Sequence, residues 1–230
     1  WDSILRLLCD TERVDLSQVD SLCRTALNAS ICQSSPSRMD SLLSKRSVQH
    51  CLTSLKCVPP LCDAVKLSNH GAVRRLLRCS GIDVNVGWGQ PPLLMAARIG
   101  DKQIARDLLG AGASINTRDT GGSTVILEST KGGHLGLLEL FLEYPEVNIN
   151  PMDESGRTPL WWAAYNGYQH VLKYLLNHPR TRKDFSYHPP DLSRVIHDNN
   201  AIYMLTLGTP LQRHWARRLG RRYALRCDLK

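Results

Sequence analysis

The sequence lacks the features of membrane-spanning and secreted proteins. It contains no run of about 18 apolar residues, the length that a membrane-spanning helix requires. It also lacks a charged stretch followed by an apolar run and a small-residue cleavage site, so no signal peptide is visible. The chain begins at Trp1 rather than at Met, which we interpret as the sign of a piece of a longer protein.

The cysteines do not form a C-x-x-C pair. An even count is compatible with disulfides, but several of these cysteines fall on the apolar faces of predicted helices, where a free thiol packs as a small hydrophobe. We therefore expect reduced thiols in a cytoplasmic or nuclear protein. The eight positions are Cys9, Cys23, Cys32, Cys51, Cys57, Cys62, Cys79 and Cys227.

Recognisable catalytic motifs are also missing. The sequence has no phosphate-binding glycine loop, no Gly-x-Ser-x-Gly elbow and no His-Glu-x-x-His pair. The spacing of Cys51, Cys57, Cys62 and Cys79 with His50 and His70 matches no standard zinc module. We expect no catalytic residue, cofactor or metal. An enzyme that uses a groove carboxylate, such as Asp63 or Glu128, is an alternative, although carboxylates at such positions are more often solvated.

Positive charge is present but concentrated at one end. The formal net charge is +8, and residues 180–230 carry 11 Lys or Arg against 4 Asp or Glu. Residues 58–179 are balanced, with 11 of each sign. Any function that depends on basicity therefore belongs to the C-terminal segment.

An internal repeat organises the middle of the chain. Four similar segments have central apolar residues that are separated by 32, 33 and 34 positions, namely Leu61, Leu93, Ile126 and Leu160. A helix-breaking pair follows each central apolar residue. An apolar pair begins fifteen positions after that same central residue, for example Leu175-Leu176 after Leu160. Self-similarity with a period of about 33 residues indicates a repeat fold whose units must stack to cover their apolar sides.

The fourth segment shows why the repeat should form two helices. Thr158 can cap a helix whose first residue is Pro159, and Gly167 can end it before a second helix over residues 168–177. The run Gly156-Arg157-Thr158-Pro159-Leu160-Trp161-Trp162-Ala163-Ala164 resembles the Thr-Pro-Leu-His signature of the ankyrin-repeat family, with Trp161 in place of His. The third segment departs most, with Val125 for Pro and Ser129-Thr130 for the Ala pair, which brings tight packing there into question.

The resemblance implies an all-α ankyrin-repeat solenoid of about four stacked helix-turn-helix units with hairpin tips, over residues 54–185. Residues 1–53 are predicted to form a helical N-terminal cap, with a separate interaction domain as the alternative. Residues 186–230 are predicted to contain a degenerate repeat and a basic C-terminal helical cap.

The C-terminal segment supports three interpretations. Leu211, Trp215 and Leu219 share one helical side, and Arg213, Arg217 and Arg221 lie opposite, within a larger basic patch. As a cap, this helix exposes its arginines to solvent; as a binding element, it holds nucleic-acid phosphates or an anionic membrane. The segment from Pro210-Leu211 to Leu219 also faintly resembles the box of ubiquitin-ligase substrate receptors, although Trp215 stands where that box has a small Cys. The patch consists of Arg213, Arg217, Arg218, Arg221 and Arg222.

The family resemblance also implies a partner-binding surface. Ankyrin arrays bind protein partners with their hairpin tips and the first helix of each unit, on the concave side. Trp88 is the most informative position, because a Trp in a Gly-Trp-Gly turn has little core to pack into, although it could fold back onto Pro91 and Pro92. Of the adjacent Trp161 and Trp162, we expect one to lie in the core. The positions carried over by alignment are Trp88, Gln90, Arg98, Ile99, Ser123, Lys131, Glu154, Arg157, Tyr165 and Asn166.

The sequence therefore predicts a monomeric protein-protein interaction scaffold or adaptor that binds a protein partner on the concave ankyrin face. The alternatives are nucleic-acid or membrane binding through the Arg-rich helix, a ubiquitin-ligase substrate receptor, and an enzyme.

Overall fold

A computed structural model of the chain describes residues 25–45, 48, 58–87 and 89–182. Within these residues the regular structure consists of ten helices, which confirms the all-α prediction for this part of the chain. None of these helices is long and apolar enough to cross a membrane. The helices are α1 (Ala26–Cys32), α2 (Pro36–Leu43), α3 (Pro60–Lys66), α4 (His70–Leu77), α5 (Pro92–Ile99), α6 (Lys102–Gly110), α7 (Val125–Lys131), α8 (Leu135–Leu142), α9 (Pro159–Tyr165) and α10 (Gln169–Asn177).

The chain divides into two compact units, Trp1–Thr120 and Gly121–Lys230. In the first unit, α1 packs on α2 and α3, α3 packs on α4 and α5, and α6 packs on α4 and α5. In the second unit, α7 packs on α8 and α9, and α9 packs on α10. In both units the basic element is therefore a pair of short helices whose first member also packs on the first helix of a neighbouring pair.

In the second unit, the first helix of each repeat begins with a side-chain cap, as the sequence predicts for Thr158. Thr158 Oγ1 accepts a hydrogen bond of 3.2 Å from the backbone N–H of Trp161, and Pro159 occupies the first helical turn. Thr124 Oγ1 likewise accepts from the N–H of Leu127 at 3.4 Å. Each cap satisfies an N–H that the helix leaves without an internal partner.

The turn between the two helices of each repeat contains a residue with positive φ. Gly100, Gly133 and Gly167 have φ values of 93°, 72° and 74°, and Ser68 has a φ of 50°. Each of these residues follows the central apolar residue of its repeat by seven positions. A side chain in this left-handed region costs about 1–2 kcal/mol, which explains why three of these four turns use glycine.

The recurring apolar positions form the core. The central residues Leu61, Leu93, Ile126 and Leu160 are all buried, and so is the first member of each later apolar pair, for example Phe141. The second member of each pair is half-buried. The periodic pattern in the sequence therefore identifies the core positions of the repeats.

The third repeat is tightly packed in spite of its polar residues. Ser129 and Thr130 stand where the family has alanines, and both are completely buried in α7. Ser129 Oγ donates to the carbonyl of Val125 at 2.7 Å, and Thr130 Oγ1 donates to the carbonyl of Ile126 at 2.7 Å. Because the carbonyls of the same helix satisfy both hydroxyls, the packing questioned at the sequence level is retained.

The helix pair α1 and α2 has the same geometry as the repeats, a similarity that the sequence comparison missed. Leu27 lies 34 positions before Leu61, Ser34 follows Leu27 by seven positions with a φ of 50°, and Leu42-Leu43 follows it by fifteen. The buried Asn28 donates to Asp63 Oδ2 at 2.7 Å, so this pair is tied directly to α3. Its role as a cap stays a prediction, and residues 186–230 lie outside the described residues.

Candidate partner-binding surface

The first unit places three of the predicted contact residues at the surface. Gln90, Arg98 and Ile99 are exposed, whereas Trp88 lies outside the described residues. Arg98 Nη1 donates to Gln90 Oε1 at 3.3 Å, and Arg98 Nη2 lies 3.2 Å from Asp119 Oδ2. The arginine is thus held in place while 44% of its side chain stays exposed.

The same pairing of positions recurs in the third repeat. Lys131 follows its central residue by five positions and Ser123 precedes it by three, as Arg98 and Gln90 do in the second repeat. Lys131 Nζ donates to Ser123 Oγ at 3.1 Å and to Glu128 Oε1 at 2.9 Å. Ser123 is only 7% exposed, so in the structure it supports Lys131 and offers almost no surface itself.

Asp153 organises the hairpin tip of the fourth repeat. Its Oδ1 accepts from the backbone N–H groups of Ser155 and Arg157, both at 2.9 Å. Its Oδ2 accepts from Arg157 Nε at 2.8 Å and from Trp162 Nε1 at 3.1 Å. The aspartate therefore fixes one cation and one indole relative to the backbone.

Opposing effects act on the pKa of the Asp153 carboxyl. Burial by itself raises the pKa, but the hydrogen bonds from Arg157 and Trp162 and the positive charge of Arg157 outweigh it, so the pKa lies below its usual value. The carboxyl is consequently ionised at neutral pH, which is the form that accepts these four hydrogen bonds.

The side chains around Arg157 form an aromatic–cation cluster, which we define as Lys131, Arg157, Trp161, Trp162 and Tyr165. Arg157 Cζ lies 4.3 Å from the ring centroid of Trp162 and 5.3 Å from that of Trp161. Lys131 Nζ lies 5.2 Å from the Trp162 centroid. The rings of Trp161 and Tyr165 stack at 4.8 Å with an interplanar angle of 15°. Cation–π attraction and ring stacking thus hold the five side chains together.

All five members of the aromatic–cation cluster are half-buried, so the cluster combines a fixed geometry with an accessible surface. Two further predicted contacts lie beside it. Asn166 is exposed and donates to the carbonyl of Lys131 at 3.1 Å, and Glu154 is exposed next to Asp153 in the hairpin tip. The structure thus brings Lys131, Arg157 and Tyr165 together, three positions that the alignment had named separately; their role in partner binding stays a prediction.

Sequence reasoning did not find the arrangement of the two tryptophans. The prediction that one of them lies in the core is wrong, because both rings are half-buried and contact each other edge to face at a centroid distance of 5.1 Å. Trp162 Nε1 is bonded to Asp153, whereas Trp161 Nε1 is buried without a hydrogen-bond partner among the described residues. The sequence feature that could have indicated this arrangement is Asp153. It lies seven residues before Leu160, as Asp119 lies seven residues before Ile126 in the preceding repeat.

The carboxylates considered for acid–base chemistry have structural partners. Asp63 accepts from Asn28, and Glu128 is ion-paired with Lys131. In the described part of the chain no three His, Cys, Asp or Glu side chains are grouped as a metal site would need. Cys32, Cys62 and Cys79 are free, and burial together with Asp63 raises the pKa of the Cys62 thiol to about 12. A thiol of this kind is unreactive.

The basic patch lies outside the described residues. Its arginines, Arg213, Arg217, Arg218, Arg221 and Arg222, all belong to the C-terminal segment after residue 182. Their predicted role in binding stays a prediction.

Comparison with known proteins agrees with the repeat geometry. A family model described as ankyrin repeats in three copies matches residues 93–185, and a second described as ankyrin repeats in many copies matches residues 61–109. Together the two matches extend from α3 past the end of α10. Ankyrin repeats in general mediate protein–protein interaction.

Several curated proteins are similar over the same region. The chain is 32% identical to ankyrin repeat domain-containing protein 63 of Mus musculus over 102 residues, which is 41% of this chain and 25% of that protein. It is 33% identical to E3 ubiquitin-protein ligase XBAT33 of Arabidopsis thaliana over 86 residues, which is 37% of this chain and 17% of the ligase. The match therefore spans about a quarter or less of these relatives. On the repeat geometry and these matches, the chain belongs to the ankyrin-repeat family.

Proposed function

We propose that this chain is a protein-interaction scaffold or adaptor and that the aromatic–cation cluster forms part of its partner-binding surface. The observation that carries the proposal is the grouping of two tryptophans, a tyrosine and an arginine, all half-exposed, on one repeat. Trp, Tyr and Arg are the residue types that dominate binding hot spots. Exposed Glu154 and Asn166 lie at its edge.

The cluster is also suited to binding because its side chains are already ordered. Arg157 is held by Asp153 and by two indole rings, and Lys131 is held by Glu128 and Ser123. Ordering a flexible side chain on binding costs about 0.5–1.5 kcal/mol. A surface whose side chains are fixed in advance avoids much of that cost.

The test is capture of partners from an extract of source cells, followed by measurement with the purified partner. The chain and a variant with Arg157→Ala and Tyr165→Ala are used in parallel, after circular dichroism has shown that both fold. Lys173→Ala is the matched control, since Lys173 is an exposed cation on α10. A partner lost with the double variant but kept with the control is then titrated calorimetrically, and we expect its affinity to fall at least 100-fold.

A separate Trp88→Ala variant tests the other predicted contact. Loss of the same partner would extend the surface to the first unit. Unchanged binding by both variants would contradict the proposal for the concave face and would direct attention to the basic C-terminal segment.

The alternatives have no support in the described residues. The nucleic-acid, membrane and ubiquitin-ligase hypotheses all rest on residues after 182, and the match to the Arabidopsis ligase covers only 86 residues. We also propose a monomer in the cytoplasm or nucleus. Light scattering and microscopy of the tagged chain test these two points.

A further inference from the structure

The guanidinium of Arg157 has hydrogen-bonding capacity that the protein itself does not use. An arginine side chain carries five N–H donors. Among the described residues, the Arg157 side chain donates only its Nε–H, to Asp153 Oδ2. The two terminal amino groups contact no acceptor among those residues, while 32% of the side chain is exposed. Four donors are therefore presented at an edge that is fixed by stacking on Trp162.

The two anions that pair with the cations of the aromatic–cation cluster are more deeply buried than the cations themselves. Asp153 and Glu128 each expose 7% of their side chains, whereas their partners Arg157 and Lys131 expose 32% and 27%. The two ion pairs balance in number, but a molecule that approaches the surface meets the cations first. At these two cations the surface is electrostatically complementary to a carboxylate, whereas the exposed carboxylate of Glu154 at the edge of the cluster disfavours one there.

An aromatic plane lies directly beside these cations. Trp161 and Tyr165 stack on each other, and Trp161 also lies 5.3 Å from Arg157 Cζ. An apolar side chain can pack on these rings while a neighbouring carboxylate reaches Arg157. Planar guanidinium groups bind carboxylates through two parallel N–H···O bonds, which adds geometric selectivity.

We infer that the aromatic–cation cluster binds an acidic peptide segment of its partner, in which an Asp or Glu adjoins a large apolar or aromatic residue. The carboxylate accepts from the terminal amino groups of Arg157, and the apolar residue packs on Trp161 and Tyr165. This inference rests on the proposed function and specifies the chemistry of the partner.

A random dodecapeptide display library, selected against the whole chain and counter-selected against Arg157→Gln, tests the inference. We expect the selected peptides to share an Asp or Glu next to Leu, Met, Phe, Tyr or Trp. The affinity of one such peptide is then measured by calorimetry and by tryptophan fluorescence. Since arginine–carboxylate pairs are charge-assisted, Arg157→Gln should weaken binding more than about 10-fold and Arg157→Lys about 5-fold.

The Glu→Gln version of the peptide should lose the same factor with the unchanged chain and little more with Arg157→Gln. Arg157→Lys retains an ion pair with Asp153, so it keeps the test informative if Arg157→Gln destabilises the fold. Lys173→Gln serves as the matched cation control and should leave affinity unchanged.

Three results would overturn the inference: selection of no peptide, selection of peptides without an acid, or affinity that is indifferent to the charge at Arg157. Tighter binding of a single-stranded oligonucleotide at the same surface would also overturn it. If a captured partner depends on Tyr165 but not on the charge of Arg157, the acidic segment is rejected while the proposed function stands.

Discussion

The two compact units each contain an arginine bonded to an aspartate of a hairpin tip, but the two arrangements differ. Arg98 of the first unit reaches Asp119 at the tip of the following repeat, and 44% of its side chain is exposed. Arg157 of the second unit bonds to Asp153 within its own tip and lies against two indole rings. The first arginine is a tethered surface charge, and the second is part of an ordered cluster.

The difference originates in the first helix of the repeat, which is α5 in the first unit and α9 in the second unit. At one, two and five positions after the central apolar residue, α5 has Leu94, Met95 and Arg98, whereas α9 has aromatic residues at all three. Arg98 belongs to α5 itself, whereas Arg157 precedes Leu160 by three positions and lies against the indole rings of the helix that follows it.

The largest expected effect comes from removing the aspartate of the second unit. Asp153→Ala takes away the acceptor of four hydrogen bonds and leaves a half-buried guanidinium without its counter-charge. We expect a loss of about 2–3 kcal/mol in the free energy of unfolding, measured with urea. The exposed neighbour provides the control, and Glu154→Ala should change stability by less than about 0.5 kcal/mol. Equal effects would show that Asp153 does not organise the tip.

The two arginines can be compared directly by truncation. Arg157→Ala should cost about 1–2 kcal/mol, because it removes stacking on two indoles together with an ion pair. Arg98→Ala should cost less than about 1 kcal/mol, as for other exposed ion pairs. The measurement is urea unfolding of both variants. An equal loss for the two variants would mean that the rings contribute nothing to holding Arg157.

The two tryptophans offer a finer comparison within one helix. Trp162→Phe loses the hydrogen bond to Asp153 and should cost about 1 kcal/mol. Trp161→Phe removes an N–H that is buried without a partner in the described region, so it should change the free energy of unfolding by less than about 0.5 kcal/mol. A larger loss for Trp161→Phe than for Trp162→Phe would contradict the hydrogen-bond assignments.

The smallest effect is a dependence on acid pH. Because the pKa of Asp153 is lower in the folded state, its ionisation stabilises the protein above the unfolded-state pKa, which is about 3.9. This contribution is lost as the pH falls below about 4 towards the folded-state pKa. Urea unfolding at pH 7 and at about pH 3 should therefore show a smaller decline for Asp153→Asn than for the unchanged chain. An identical decline would show that this carboxyl has the same pKa in both states.

The sequence predicts the repeats well because their landmarks are local. The period, the cap at Thr158, the helix break at Gly167 and the buried Leu160 each depend on a few neighbouring residues. The helix pair around Leu27 escaped notice because its signature has the polar residues Asn28 and Ser30 one and three positions after Leu27, where the other repeats mostly have apolar residues.

The candidate surface could be predicted only in part. Alignment to the family identifies Arg157 and Tyr165 as accessible, but it assigns Trp161 and Trp162 only to a helix. Their placement depends on a hydrogen bond to Asp153, nine residues away from Trp162, and on stacking with Arg157 and Tyr165. Such side-chain contacts depend on the angle at which the tip meets the helix, and periodicity does not encode that angle.

The buried hydroxyls of α7 show what the alanine pair of the repeat signature is for. Since a helical carbonyl can accept a second hydrogen bond, a serine or threonine at these positions brings its own acceptor and needs only slightly more room than alanine. The requirement at these two positions of α7 is therefore a small side chain whose polar group, where it has one, finds its acceptor within the same helix.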